Sequence, residues 1–253
     1  MIVMASDYVG WKVMEYLTGR GEDIRYLIID PHDRGGYNSR ITDVYKARVA
    51  NGTVLTGDAL ADRGVIDELS NSNPKIGILA WWPNILKGPI LKVPAMGWLN
   101  FHPSYLPFNR GKHPNFWCLV DETPCGVTLH YVNEGIDSGG IVAQKKTELS
   151  WEDTGETVYL KARESMIELL QEKYDDIIAG RLPVIEQALE AGTFHRAKEI
   201  ETACRIDLDA TMQTRRLLNI LRAKMFRPHA PAFFQDGDKT YSVEIVIKEV
   251  ATP

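Results

Sequence analysis

The sequence predicts an α/β protein with a mostly parallel sheet, followed by a small C-terminal module of one helix and a β-hairpin. Short apolar segments alternate with helical stretches over the first hundred residues, as in sheets whose parallel strands are connected by helices. A long amphipathic helix is predicted at Thr157–Ala179. The turn-forming Gln235-Asp236-Gly237-Asp238 then separates two apolar runs. We therefore expect one domain at residues 1–200 and a small module at residues 201–253.

The first hundred residues are predicted to alternate strand and helix. Val9, Val13 and Leu17 have helical spacing, and Gly19 is expected to end that first helix. The predicted strands and helices are, in chain order, Ile2–Ala5, Val9–Thr18, Ile24–Ile29, Ser39–Val49, Thr53–Leu55, Leu60–Leu69, Ile76–Ala80 and Gly97–Phe101.

The second half has a different predicted organisation. Gly126–Val132 and Ile141–Thr147 are extended runs that we expect to pair across the loop between them. The long helix is expected to bury a stripe made of Tyr159, Leu160, Ala162, Met166, Leu169, Leu170 and Tyr174. The remaining predicted elements are the helices Asn115–Val120 and Ala210–Arg222 and the strands Ala232–Phe234 and Thr240–Val246.

The composition excludes several classes of function. A net charge of −5 and a pI of about 5.7 argue against wide contact with nucleic acid or an anionic membrane. The three cysteines lack the spacing of a zinc site or a disulfide framework, so we expect no metal and a reducing compartment. The start has no basic leader and the chain has no long apolar run, which predicts a cytoplasmic protein.

The segment WLNFHPSYLP carries the first candidate site. Side chains two apart on a strand face the same way, so Asn100 and His102 are expected to share one face. Pro103 should end the strand, and ligands of parallel sheets collect beyond strand carboxyl ends. A carboxamide and an imidazole placed there could stabilise a carbonyl oxygen that becomes an oxyanion. The alternative is a pair of strand-end side chains that bond only to neighbouring backbone.

The segment GIDSGG carries the second candidate. Its glycines allow the backbone to approach a ligand closely, and the carboxylate of Asp137 could raise the pKa of a nearby imidazole and accept a proton. The alternative is a hairpin loop that only reverses the chain.

Together the two segments resemble the 10-formyltetrahydrofolate-dependent formyltransferases. The family pattern is Asn-x-His-Pro-Ser-x-Leu-Pro, an Arg-Gly, then Gly-Val-Thr-x-His and a later Asp-x-Gly. The positions that match it are Asn100, His102, Pro103, Ser104, Leu106, Pro107, Arg110, Gly111, Gly126, Val127, Thr128, His130, Asp137 and Gly139. The resemblance implies a Rossmann-like formyltransferase domain over roughly residues 1–200.

The resemblance also implies a mechanism. An acceptor amine would attack the formyl carbon of 10-formyltetrahydrofolate, while Asn100 and protonated His102 stabilise the oxyanion. Asp137 would orient His102, keep it charged, and help to move the proton from the amine towards the departing folate nitrogen. These residues are therefore the predicted catalytic group.

Binding residues follow from the same resemblance. The pterin is expected between two walls, one made of Trp81, Trp82, Pro83, Ile85 and Leu86 and the other of Tyr131, Glu134, Gly135 and Ile136. One of the two tryptophans is expected in the core instead. The candidate acceptor contacts are Ser6, Asp7, Tyr8, Arg110, Lys112, His113 and His130. Asp7 could equally be only an N-cap, and His130 could equally be a packed histidine bonded to backbone.

The tail distinguishes the possible acceptors. Its roughly fifty near-neutral residues are too few for the C-terminal barrel of methionyl-tRNA formyltransferases. The first turn lacks the glycine-rich loop of glycinamide ribonucleotide transformylases, and it has no dinucleotide fingerprint. The tail is similar to that of sugar N-formyltransferases. A dTDP- or UDP-linked 4-amino-4,6-dideoxyhexose for surface polysaccharide and a homodimer are therefore expected. The alternatives are another amine acceptor or hydrolysis of formyltetrahydrofolate.

Overall fold

The computed structural model describes residues 1–250, which form two compact units. Unit 1 contains residues 1–102, 128–144 and 166–187. Unit 2 contains residues 103–127, 145–165 and the chain from residue 188 onward. The predicted boundary at residue 200 stays a prediction.

The helices and strands of the described residues are numbered in chain order. The strands are β1 Ile2–Ala5, β2 Tyr26–Ile29, β3 Thr53–Thr56, β4 Gly77–Ala80, β5 Trp98–His102, β6 Arg110–Gly111, β7 Gly126–Tyr131, β8 Ile141–Lys146, β9 Phe194–His195, β10 Arg205–Ile206, β11 Ala232–Asp236 and β12 Lys239–Val243. The α-helices are α1 Asp7–Gly19, α2 Asn38–Arg48, α3 Arg63–Asn71, α4 Pro114–Val120, α5 Gly155–Ile178, α6 Glu199–Ala203 and α7 Thr214–Lys224.

The main sheet has the strand order β3-β2-β1-β4-β5-β7-β8. Neighbouring strands from β3 through β5 are parallel, and β7 pairs with β5 in the antiparallel direction. The prediction of an α/β fold with a mostly parallel sheet is therefore confirmed. The strand order reverses direction between β1 and β4, which is where open α/β sheets bind ligands.

The sheet of unit 1 is held by apolar strands that are buried on both faces. All of β1 and β4 is buried, as expected of central parallel strands covered by helices. Trp98 lies in the core cluster with residues of β1 and β4, and its indole Nε1 donates to the carbonyl of Ile90 at 2.7 Å. A Cβ on Gly77 would lie 2.3 Å from the Trp98 ring, so only glycine fits beside that tryptophan.

Unit 2 has its own core and carries the C-terminal helix and hairpin. Phe116, Leu119, Val158, Ile220 and Leu221 pack in one buried cluster. The strands β11 and β12 form the predicted antiparallel hairpin, and β10 adds a parallel strand that the sequence pattern did not reveal. The structure therefore has the predicted helix plus β-hairpin, with one extra short strand.

Two predicted helix starts and one residue of the predicted buried stripe are wrong. The helix predicted at 60–69 begins at Arg63, because the Asp62 side chain accepts the Gly64 amide hydrogen at 2.8 Å and caps it there. The helix predicted from residue 210 begins at Thr214. In α5, Leu160 is 47% exposed whereas Val158 is buried, so the predicted stripe was wrong at Leu160. Gly180 follows the end of α5 at Ile178 and has the positive φ of 66° that a helix-ending glycine adopts.

Candidate active site

Asn100 and His102 lie on one face of β5, as their spacing predicted. The antiparallel register places His130 of β7 directly opposite Asn100. Because residues opposite each other in an antiparallel pair share a face, the three side chains come together. The Nδ2 atom of Asn100 lies 3.1 Å from Nε2 of His130, and the two imidazole rings are 6.2 Å apart between centroids.

Asp137 completes this group from the loop after β7. Its Oδ1 atom lies 3.5 Å from Nδ1 of His102 and 3.7 Å from Nε2 of His130. His102 and His130 are buried, whereas Asp137 is partly exposed. All four residues belong to unit 1, and the structure therefore brings the three predicted catalytic residues together with a second histidine.

The loop that holds Asp137 is fixed mainly through its backbone. Asp137 has a positive φ of 48°, a conformation that aspartate tolerates better than most residues. Gln187 donates through Nε2 to the carbonyl oxygens of both Asp137 and Gly139, at 2.9 and 2.6 Å. A Cβ on Gly139 would lie 1.8 Å from the Tyr131 carbonyl oxygen, so a glycine is required there. The sequence pattern did not point to Gln187, which is fifty residues away.

His130 is a neutral imidazole in this site. Burial is the largest cause that lowers its pKa to about 4, and the nearby His102 lowers it further, against the opposing effect of Asp137. Its Nδ1 lies 2.9 Å from the Tyr131 carbonyl oxygen, which can only accept, so Nδ1 carries the hydrogen. His130 therefore bonds to the backbone through Nδ1, while Nε2 faces Asn100, and its role in binding stays a prediction.

This lowered pKa predicts a pH-dependent stability. Between about pH 6.5 and pH 4 the unfolded chain binds a proton at His130 that the folded chain does not. The stability associated with a neutral His130 is thus complete above about pH 6.5 and is lost as the pH falls towards 4. We expect His130→Gln to reduce this loss by up to about 1.4 kcal/mol per pH unit. Urea unfolding at several pH values tests this, and parallel profiles for the two proteins would contradict it.

The first turn and the end of β4 face each other across the point where the strand order reverses. The Ser6 amide donates to the Ala80 carbonyl at 3.1 Å, and the residues that follow, Asp7 and Trp81, have positive φ values of 59° and 60°. For a tryptophan this conformation is strained, and such strain collects at functional sites. The N-cap of α1 is Ser6, one residue before Asp7, so the alternative of Asp7 as the N-cap was wrong. The Oδ1 atom of Asp7 instead accepts from the Tyr8 amide.

The residues of the predicted pterin walls differ in exposure. Trp82 packs against the core cluster that contains Leu86, and its indole Nε1 is buried without a hydrogen-bond partner among the described residues. One tryptophan thus lies against the core, as expected, and Leu86 belongs to that core. Ile85 and Ile136 are apolar yet 59% and 41% exposed. The half-buried or exposed members of the two walls are Trp81, Pro83, Tyr131, Glu134 and Gly135.

An aromatic and basic patch lies beside the first turn. It consists of Tyr8, Trp11, Lys12, Tyr37 and Arg40, which we call the α1–α2 patch. Trp11 and Tyr37 are stacked with centroids 5.9 Å apart, and the Arg40 guanidinium lies within 5.3 Å of both ring centres. The rings are half-buried, so part of each is accessible to a ligand. Of these residues, only Tyr8 was predicted from the sequence as an acceptor contact.

The remaining predicted acceptor contacts lie in unit 2. Arg110 is in β6, and its guanidinium carbon lies 5.9 Å from the Phe194 ring centre. Lys112 is exposed. His113 occupies the N-cap position of α4, where burial and then the charge of Lys112 lower its pKa. A role for these residues in binding stays a prediction.

Among the described residues, no group of three or more His, Cys, Asp or Glu side chains is placed to hold a metal ion. Within residues 1–250, no helix is both long enough and apolar enough to cross a membrane.

The sequence matches two described families. Residues 11–173 match the family described as formyl transferase, and residues 199–249 match the N-formyltransferase dimerization C-terminal domain. A methionyl-tRNA formyltransferase of Thermodesulfovibrio yellowstonii is 29% identical over 227 residues, which are 88% of this chain and 72% of that protein. The chain spans about half the length of three further methionyl-tRNA formyltransferases that it matches.

Solved structures share the fold. A 4-N formyltransferase from Francisella tularensis has a TM-score of 0.82 at 20% identity, and the match covers 98% of both chains. An N-formyltransferase from Helicobacter canadensis, solved with folinic acid and dTDP-3-aminofucose, has a TM-score of 0.69 at 17% identity. That match covers 89% of this chain and 80% of the other. At these identities the likeness establishes the fold.

Proposed function

The chain belongs to the formyl transferase family of folate-dependent N-formyltransferases, and on that premise we propose that it formylates the amino group of a nucleotide-linked amino-deoxy sugar. The observation that carries the formyl transfer is the cluster of Asn100, His102 and Asp137 on one face of β5. We propose 10-formyltetrahydrofolate as the formyl donor.

The residues of the cluster can each perform one step of this transfer. As the acceptor amine attacks the formyl carbon, negative charge develops on the formyl oxygen. The half-buried Asn100 amide and the buried His102 imidazole stabilise that charge, and such contacts are stronger away from water. Asp137 lies against Nδ1 of His102, so the proton that His102 offers is the one on Nε2. Asp137 also favours the charged imidazole and can accept the proton of the attacking amine.

The residues of the two predicted walls suit a folate. Exposed Ile85 and Ile136 offer apolar surface, and half-buried Trp81 and Tyr131 offer aromatic surface for a flat ring system. The buried Trp82 Nε1 is a donor that lacks a partner among the described residues, and such a donor would suit the polar edge of a pterin. When bound, the folate supplies the activated formyl group.

Two features support a nucleotide sugar as acceptor. The Helicobacter canadensis N-formyltransferase that was solved with dTDP-3-aminofucose shares the fold over 89% of this chain. The α1–α2 patch combines aromatic rings, which stack on nucleobases, with Arg40 and Lys12, which pair with phosphates. We therefore propose a dTDP- or UDP-linked 4-amino-4,6-dideoxyhexose, in the synthesis of surface polysaccharide.

The match of residues 199–249 to a dimerization domain supports a homodimer. The three cysteines are free and buried, which supports action in a reducing compartment such as the cytoplasm. The second candidate acceptor is methionyl-tRNA, which is favoured by the names of the curated relatives but opposed by the acidic charge of this chain.

The acceptor is tested by incubating the full chain with 10-formyltetrahydrofolate and each candidate in turn. The panel contains dTDP- and UDP-linked 4-amino-4,6-dideoxyhexoses, glycinamide ribonucleotide, methionyl-tRNA and a sample without acceptor. We expect mass spectrometry to show a gain of one formyl group on a nucleotide sugar, with His102→Ala as the blank. Faster formylation of methionyl-tRNA would replace the proposed acceptor. Loss of formyl from the folate with no acceptor gaining mass would make the protein a hydrolase.

A further inference from the structure

The Asn100 amide has two orientations that differ in chemical effect. Rotation of the terminal amide by half a turn exchanges its NH₂ group and its oxygen with almost no change of shape. Only the NH₂ group can donate to an oxyanion, whereas the amide oxygen would repel it. An asparagine that serves an oxyanion therefore needs a neighbour that selects one orientation.

His130 has the bonding pattern that such a neighbour requires. Its Nδ1–H donates to the Tyr131 carbonyl at 2.9 Å, which leaves Nε2 of the neutral ring with a lone pair. Nε2 can then only accept, and the Asn100 group that lies 3.1 Å away has to be the donor Nδ2. The Tyr131 carbonyl thus fixes the histidine tautomer, and the tautomer fixes the asparagine.

We propose that His130 is a positioning residue, which holds the Asn100 amide with its NH₂ group directed to the developing oxyanion. The Nδ2 atom has two hydrogens, so one can bond to His130 while the other serves the substrate. This inference rests on the proposed formyl transfer, because it assigns Asn100 the role of oxyanion donor. It gives His130 a role other than the acceptor contact predicted from the sequence.

The neutral state of His130 is part of this arrangement. A proton on Nε2 would remove the acceptor from Asn100 and would turn the ring towards a bond with Asp137, whose Oδ1 is 3.7 Å away. Burial disfavours that proton, and so does His102, whose ring centroid is 6.2 Å away. Two similar imidazoles beside one carboxylate therefore have separate roles: His102 lies against Asp137 through Nδ1, and His130 serves Asn100 through Nε2.

A double-mutant cycle tests whether His130 acts through Asn100. We expect His130→Leu to lower kcat by about 10- to 100-fold with KM little changed, because the amide can then rotate. In the Asn100→Ala background the same change should have no further effect on kcat. His130→Gln should retain most of the activity, because its side-chain oxygen can accept from Asn100. Additive losses in the cycle, or a loss in His130→Gln equal to that of His130→Leu, would overturn the proposal.

The control is Leu129→Val, which shortens a fully buried side chain on the same strand that faces away from the site. Its effect should be the same with asparagine or alanine at position 100, as for any general loss of packing. A cycle with the same non-additivity for Leu129→Val would also overturn the proposal.

A spectroscopic measurement keeps the inference testable even if the activity is absent. The ¹⁵N chemical shifts of labelled histidine should show His130 in the Nδ1–H tautomer at neutral pH, with Nε2 unprotonated. A protonated Nε2 would overturn the inference whatever the activity. If the wild type formylates no acceptor while the tautomer is as expected, the proposed function fails and the Asn100–His130 bond stands.

Discussion

Replacing His102 by alanine is expected to lower kcat for formyl transfer by about 10²–10³-fold while the protein stays folded. His102 is 6% exposed and its Nδ1 lies 3.5 Å from Oδ1 of Asp137, so it is a buried and oriented hydrogen-bond donor for the formyl oxygen. The change removes a donor that acts only as charge develops on the formyl oxygen. We therefore expect kcat to fall much more than KM rises in steady-state assays with the donor and the best acceptor.

His32→Gln is the matched control for this experiment. His32 is an exposed histidine in the same unit, and its replacement should leave kcat unchanged. The circular dichroism spectrum and melting temperature of His102→Ala report whether the fold is retained. A folded His102→Ala protein with wild-type kcat would remove His102 from the proposed mechanism.

Much of this site could be predicted because its residues are local in sequence. Alternation along one strand was enough to place Asn100 and His102 on the same face, and the register confirms this. The α/β fold followed from periodicity, since buried strands and helices differ in the spacing of apolar residues. Where a single side chain decided a boundary, as Asp62 does for α3, periodicity alone gave the wrong start.

The parts that were missed depend on pairing between distant segments. The contact of His130 with Asn100 exists only because β7 runs antiparallel to β5 in one particular register, which local patterns do not specify. Gln187 reaches the Asp137 loop from fifty residues away. The burial of Val158 rather than Leu160 depends on which side of α5 the rest of unit 2 covers. Long-range packing of this kind is absent from a single-sequence pattern.

Replacing Asp137 by asparagine is expected to lower kcat by about 10²–10⁴-fold, the range for a group that handles a proton in the transition state. The amide is nearly the same size as the carboxylate, but it has no charge to favour the imidazolium of His102. It also offers an NH₂ group, which would compete with the Nδ1–H of His102. Steady-state kinetics should show a loss confined mainly to kcat.

The structure indicates that this loss of kcat would come from the missing carboxylate and not from displacement of the loop. Gln187 bonds to the main-chain carbonyls of Asp137 and Gly139, so the loop keeps these bonds when the Asp137 side chain changes. Asp67→Asn is the matched control, because Asp67 is an exposed carboxylate on α3 of the same unit and should leave kcat unchanged. A wild-type rate in Asp137→Asn would exclude the carboxylate from the mechanism.

The pairing of Asp137 with His102 makes the double variant the most informative comparison. If Asp137 acts by holding His102 charged and oriented, its replacement should cost little more once His102 is already alanine. A carboxylate that accepted the amine proton independently of His102 would instead add its full effect in that background. The kcat of His102→Ala/Asp137→Asn relative to His102→Ala thus separates the orienting role of Asp137 from its role as proton acceptor.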